Sequence, residues 1–155
     1  PAGTRFLNEI AELVDVRGRD VIDLGCGQGR LGRWALEHGA SRVVFADLSA
    51  EALASVPADG RAVALPHLWG EALPRCDVLL GGDILYRPAS FPVLLDSVRS
   101  ALGPASQAWL VDPRSTLEPE LPVLAAERGL RWEQRRRPGG YTLVLVQMAA
   151  EMGIA

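Results

Sequence analysis

The sequence predicts an α/β protein built on a doubly wound, mostly parallel seven-stranded sheet with one antiparallel strand in a C-terminal hairpin. Short apolar runs alternate along the whole chain with stretches of helical periodicity, the pattern of strand–helix–strand crossovers. A glycine-rich turn, Gly25-Cys26-Gly27-Gln28-Gly29, follows the first apolar run and opens a helix. Near the C-terminus two runs are joined only by Pro138-Gly139-Gly140. That link is too short for a crossover, so this pair is antiparallel.

Phe6, Leu7, Ile10, Leu13 and Val14 recur at helical spacing, which predicts a helix over 4–14 with Thr4 as its N-cap. Val21-Ile22-Asp23-Leu24 reads as a short buried strand. A helix over 30–38 follows, with Leu31, Trp34 and Ala35 on one face and Gly39 just past its end. Val43–Ala46 is the second strand, ending at Asp47. Ser49 caps a short helix through Val56, with Glu51 in its first turn. Arg61–Leu65 is a weak third strand and Asp77–Leu80 the fourth. Ser90 is expected to cap the next helix, with Pro92 in its first turn, where a missing N–H costs little. Leu94, Leu95, Val98, Ala101 and Leu102 line its buried face, and Gly103-Pro104 is expected to stop it. Ala108–Val111 is the fifth strand. A helix then runs toward Arg128 and closes at Gly129, and strands 132–137 and 141–148 form the hairpin. Trp34, Trp109 and Trp132 read as core.

Seven strands and their helices use nearly all 155 residues, so residues 1–155 are expected to form a single domain. Substrate choice then falls to the loops after strands four and five, to the hairpin, or to an N-terminal extension. The chain opens on Pro1 without an initiator Met, as a processed protein or a trimmed one does, and shows no signal-peptide pattern. No apolar stretch is long enough to span a membrane. All 16 basic residues are arginine. Without lysine, P-loop and Schiff-base chemistry are excluded. His38, His67, Cys26 and Cys76 fall in no metal-ligand spacing, so no metal site is expected. Two distant cysteines suggest no disulfide framework and point to the cytoplasm. A net charge of −3 and a pI near 5.4 argue against a broad nucleic-acid surface. The densest basic run, Arg135-Arg136-Arg137, reads as a solvated strand.

The glycine turn carries the chemistry. Glycines let the backbone approach a ligand at a strand's C-terminal end, and their N–H groups can face it. Twenty-four residues after Asp23, Asp47 ends the second strand, where a carboxylate can accept both hydroxyls of a ribose. Gly27-Gln28-Gly29-Arg30-Leu31-Gly32 satisfies the GxGxxG dinucleotide fingerprint. That fingerprint normally begins directly after the strand, whereas Gly27 lies three residues past Leu24. Asp23 at the strand end is awkward beside a pyrophosphate and comfortable beside the ammonium group of an amino acid. A glycine-rich turn with no ligand is the bland alternative.

Asp23-Leu24-Gly25-Cys26-Gly27-Gln28-Gly29 resembles motif I of the class I S-adenosylmethionine-dependent methyltransferases. The later segments resemble the protein-lysine methyltransferase branch of that class. Leu68-Trp69-Gly70 is similar to its L-x-W-G, and Asp83-Ile84-Leu85-Tyr86 to its D-x-x-Y after strand four. Pro1-Ala2-Gly3 is similar to W-P-A/G-G without the Trp. Asp112-Pro113-Arg114 resembles the electron-transfer flavoprotein β-subunit lysine methyltransferases. The resemblance implies a Rossmann-like fold, S-adenosylmethionine as cofactor with S-adenosylhomocysteine as product, and a protein substrate.

It also implies roles. Asp23, Gly25, Cys26, Gly27 and Gly82 belong to the cofactor set, Asp47 holds the ribose, and Trp69 and Leu48 take the two adenine faces. Asp83 accepts a hydrogen bond from the amine and stabilises its developing charge, and Tyr86 orients it. The alternatives are bland: Asp83 as a loop acid, Tyr86 and Trp69 as core, His67 as a bystander and the Cys26 thiol as incidental. At the level of function, they are methylation of a small molecule or an RNA, and a catalytically silent binding protein on the same fold.

Overall fold

Strands whose residues are apolar on both faces must lie inside a sheet covered on both sides. In the computed structural model, which describes residues 2–150, Val43–Ala46 and, apart from the buried Asp23, Val21–Leu24 are such strands. The strands are β1 (Asp20–Leu24), β2 (Arg42–Asp47), β3 (Ala62–Pro66), β4 (Cys76–Gly82), β5 (Leu102–Asp112), β6 (Leu130–Arg137) and β7 (Tyr141–Met148). The helices are α1 (Ala2–Leu13), α2 (Arg30–Glu37), α3 (Ala50–Ala54), α4 (Phe91–Ala101) and α5 (Glu120–Glu127). The sheet order is β3-β2-β1-β4-β5-β7-β6. All pairs from β3 to β5 are parallel, and β7 runs antiparallel to both of its neighbours. This is the doubly wound, seven-stranded arrangement that the sequence predicts.

Strand alternation assigns side chains to two cores. Ile22, Leu24, Val44, Ala46 and Leu79 pack with Phe91, Leu94 and Leu95 of α4 and Leu121 of α5. Val21, Val43, Phe45, Val78 and Leu80 pack with Phe6 and Ile10 of α1 and Trp34 and Ala35 of α2. By this alternation Asp23 shares the α2 face with Val21. Contact between α2 and β2 is close: a Cβ added at Gly32 would sit 2.3 Å from Phe45 Cε1.

Several boundaries differ from the expectations. Thr4 is not an N-cap, because α1 already runs at Ala2. Pro1, which opens the Pro1-Ala2-Gly3 resemblance, lies outside the described residues. Ser49 caps α3 as expected, its Oγ accepting the Ala52 N–H at 3.3 Å. Ser90 precedes α4 but makes no side-chain cap, because a 3-10 turn over Pro88–Ser90 already leads into the helix. Helix α4 is not stopped by Gly103-Pro104. It passes at Leu102 straight into β5, where Leu102 pairs with Cys76 and the segment before Gln107 bulges out of register. Gly129, at φ 70°, closes α5, and Gly139 and Gly140 turn the hairpin at φ 104° and 83°. Trp34 and Trp109 are buried, and Trp132 is half-buried against the α4 core.

Candidate active site

Strand order reverses direction at β1, whose neighbours are β2 on one side and β4 on the other. Ligands of doubly wound sheets bind at such a switch point, beyond the strands' C-terminal ends. A cleft of about 300 Å³ opens there. Six of the expected site residues line it: Gly25, Asp47, Leu48, Trp69, Asp83 and Tyr86. His67, Leu68, Ile84 and Arg87 complete its walls. Asp23, Cys26, Gly27 and Gly82 do not line this cleft. Gly27 lies with Asp47 in an adjoining depression.

The glycine turn works differently from the expectation that its N–H groups face a ligand. The Gly25 and Cys26 N–H groups donate to the Ala46 carbonyl, at 2.8 and 3.1 Å, and the Gly29 N–H to Cys26 O. The Gly27 N–H donates to Asp47 Oδ2 at 3.0 Å, and the Ser49 N–H to Asp47 Oδ1 at 2.8 Å. The turn therefore locks itself to β2 and fixes the Asp47 carboxylate. Gly25 sits at φ 64° and is needed for close packing, since a Cβ there would lie 2.9 Å from Ile84 and 3.2 Å from the Trp69 ring. The Trp69 indole thereby rests on the turn.

Asp23 is 2% exposed and faces the first turn of α2, where its Oδ2 accepts the Gly32 N–H at 2.9 Å. Gly29 at the N-cap has no side chain to do this, so Asp23 satisfies that N–H from β1. Burial pushes its carboxyl from 3.8 up to about 7 against the Gly32 hydrogen bond, and Asp47 adds to the rise. No basic group among the described residues offsets it. The Cys26 thiol is pushed up to about 12 by burial and by Asp23 and Asp47. It stays a thiol at neutral pH and is no nucleophile.

Asp83 is a non-glycine residue with positive φ, at 54°. Such a conformation costs about 1 kcal/mol or more and persists where the surroundings impose it. Its N–H donates to Val111 O at 2.9 Å, tying the end of β4 to β5. Asp83 is exposed to the cleft, and its carboxyl stands above the ordinary carboxylate range. Partial desolvation is the main cause, Asp112 adds to it, and Arg114 opposes it. Tyr86 is 63% exposed on the rim, so it is not a core residue, and Leu48 is 69% exposed beside Asp47. Gly82 is half-buried behind Asp83, near Leu31 and Val111.

His67, read from sequence as a bystander, is buried in the cleft wall, edge-on to Trp69. Its Nε2 lies 2.9 Å from the Glu71 carbonyl, so Nε2 carries a proton and pins the loop after β3. Sequence reasoning assigned Arg114 no role of its own. Its guanidinium donates to Leu85 O at 2.7 Å and to Asp112 at 2.9 Å, and it also pairs with Glu118. Only its place in Asp112-Pro113-Arg114 marked it in the sequence.

The residues fit an amino-acid-bearing nucleoside. Asp47 presents a fixed carboxylate for hydroxyls, Trp69 and Leu48 offer apolar faces, and Asp23 is a buried acid without a cation.

A family model described as a methyltransferase domain matches residues 3–147. The chain is 35% identical over 107 residues to mouse EEF1A lysine methyltransferase 3, covering 63% of this chain and 46% of that one. It is 37% identical over 100 residues to the Danio rerio protein N-lysine methyltransferase METTL21A, covering 55% and 45%. The chain spans about half the length of the curated relatives it matches. Its fold superposes on the solved DhpI–SAH complex with a TM-score of 0.78 at 18% identity, covering 97% of this chain and 86% of the other. The family match runs from α1 into β7, through every element that builds the cleft, and the chain belongs to the methyltransferase-domain family.

Proposed function

We propose that residues 1–155 form a single S-adenosylmethionine-dependent N-methyltransferase domain that methylates lysine on a protein substrate in the cytoplasm. The observation that carries this reading is the convergence of Asp47, Trp69, Asp83 and Tyr86 on one cleft at the switch point of the sheet. The lysine-methyltransferase relatives support the substrate class. Two buried free thiols, Cys26 and Cys76, support a reducing compartment. Among the described residues no helix is long and apolar enough to cross a membrane. The acidic balance of the chain speaks for a protein over a nucleic acid.

Asp23 and Asp47 would hold the cofactor's ammonium and ribose, and Trp69 and Leu48 its adenine. When bound, the cofactor supplies a methyl group on a sulfonium centre that departs as a neutral thioether. The chain's own task is to present a neutral amine in line with that methyl. A lysine amine is protonated at neutral pH and must lose its proton before it attacks, releasing it to the solvent that reaches the exposed Asp83. The Asp83 carboxylate accepts a hydrogen bond from the amine, orients its lone pair and stabilises the positive charge that develops on nitrogen. The Tyr86 hydroxyl, on the rim beside it, sets the approach of the side chain. Positioning rather than covalent help supplies most of the acceleration.

Labelled S-adenosylmethionine incubated with the protein and a cell lysate tests this reading. Label recovered as methyl-lysine in a protein band is the expected result. The sequence contains no lysine, so that label belongs to a partner. Label found only in small molecules or RNA would overturn the substrate class. Asp83→Asn is expected to keep cofactor affinity while slowing single-turnover methylation by about 10²-fold or more. A wild-type single-turnover rate removes Asp83 from the mechanism.

A further inference from the structure

The loop that carries Asp83 and Tyr86 is held from outside the cleft by one side chain. The Arg114 guanidinium reaches three groups at once: the Leu85 carbonyl at 2.7 Å, the Asp112 carboxylate at 2.9 Å and Glu118. Arg114 is itself fixed through its backbone. Its N–H donates to Asp112 Oδ1 at 2.9 Å, and its carbonyl accepts the Thr142 hydroxyl of β7 at 2.7 Å. Leu85 lies between Asp83 and Tyr86, so its carbonyl is the handle of the D-x-x-Y segment. Asp83 holds an unfavourable backbone conformation at φ 54°, which relaxes if the loop is released.

We propose that Arg114 is a positioning residue for the Asp83–Tyr86 loop, clamping Leu85 to the end of β5 while balancing the buried Asp112 carboxylate beside Asp83. This rests on the reading of Asp83 as the residue that receives the amine. Asp112 is 1% exposed, and a buried carboxylate without a partner disfavours a second carboxylate nearby. Asp112 raises the Asp83 carboxyl and Arg114 lowers it, so the arginine keeps Asp83 available as a carboxylate. The other titratable and charged groups on the cleft are Asp47 and His67 across it and Tyr86 and Arg87 on the same loop. A lysine cannot replace this clamp, because a single ammonium does not span three acceptors as a planar fork does.

Two variants separate clamp from charge. In Arg114→Lys the charge remains, so the Asp83 carboxyl, followed by carbon-detected NMR, titrates within a few tenths of a pH unit of wild type. Amide exchange across residues 83–86 speeds up, and turnover falls about tenfold with the KM for cofactor unchanged. In Arg114→Gln both functions go, and the Asp83 titration midpoint moves upward as well. Wild-type amide exchange in both variants overturns the clamp, and an unmoved Asp83 midpoint in Arg114→Gln overturns the charge balance. If Arg114→Gln does not fold, exchange in Arg114→Lys alone decides the clamp. The two deciding readouts, amide exchange and the Asp83 titration, do not use turnover. Full activity in Asp83→Asn sinks the catalytic reading of Asp83 and leaves the test of Arg114 standing.

Discussion

Replacing Asp23 by Asn should stabilise the unliganded protein at alkaline pH while weakening its hold on a cationic ligand. The folded carboxyl titrates at about 7 against 3.8 for an ordinary aspartate, chiefly because it is buried. At ~1.4 kcal/mol per pKa step, keeping it ionised at pH 8 costs about 4 kcal/mol of folding stability. Asparagine still offers a carbonyl oxygen to the Gly32 N–H. It also buries an amide group with no acceptor assigned to it, at a cost of roughly 1–3 kcal/mol. The net expectation is a gain of about 1–3 kcal/mol at pH 8. A raised carboxyl binds its proton in the folded state before the unfolded one does. Between pH 4 and 7, wild-type stability from this group therefore rises as pH falls, so the advantage of the variant vanishes between about pH 6 and 4.5 and is reversed by about pH 4. Urea unfolding at pH 4, 5, 6, 7 and 8 reads the difference. A constant gap between the two proteins across that range, or a variant no more stable at pH 8, refutes the burial argument. In the same variant, S-adenosylmethionine affinity should fall about 10–100-fold, because an ionic hydrogen bond to the ammonium is lost.

Asp47→Ala should weaken S-adenosylmethionine binding about 10–100-fold in calorimetry, since the ribose acceptor goes and the Gly27 and Ser49 N–H groups lose their partner; wild-type affinity contradicts the assignment. Gly32→Ala should destabilise by about 1–3 kcal/mol, because its methyl would press on the Phe45 ring from 2.3 Å. An unchanged denaturation midpoint would show that α2 can move off β2. At pH 6.5, binding of S-adenosylmethionine should release a fraction of a proton, since an ammonium beside Asp23 draws its carboxyl down from about 7; calorimetry in buffers of different ionisation enthalpy measures it, and zero release places the ammonium elsewhere.

The fold was legible where residues act locally. Val43–Ala46, and Val21–Leu24 apart from Asp23, are apolar runs that read as buried strands, and Pro138-Gly139-Gly140 is too short for a crossover. Boundaries failed where long-range pairing overrides local signals. Leu102 continues the apolar face of α4 in sequence, yet pairs with Cys76 as the first residue of β5. Ser90 has the chemistry of a cap, but the preceding 3-10 turn removes the need for one. In the site, Asp47 was readable as the acid that ends the second strand, whereas Trp69 and Asp83 were expected through the resemblance of their segments to L-x-W-G and D-x-x-Y; all three line one cleft. The use of the turn's N–H groups was not, because the acceptor Ala46 O lies on another strand. Arg114 was illegible as an anchor for the same reason: its partners come from the loop after β4, the end of β5 and Glu118, and only the fold brings them together.

Three acids stand at or near the C-terminal ends of three adjacent strands, and their environments divide their work. Asp47 is fed by two backbone N–H groups, which suits a fixed acceptor of hydroxyls. Asp23 is buried with one N–H and no cation, which suits a partner that brings positive charge with it. Asp83 is partly desolvated and poised between Asp112 and Arg114, which suits a group that meets charge as it forms. Each acid alone is destabilised or merely accommodated by the protein. Together they bias this end of the sheet toward cations. On the proposed function that bias matches a sulfonium and an ammonium on arrival and loses much of its attraction once the sulfur is neutral. Asp23, whose burial costs the empty fold stability, would meet the ammonium that donor and product share and so hold both, and Asp83, facing the reacting centre, is the acid whose attraction falls as the sulfur becomes neutral.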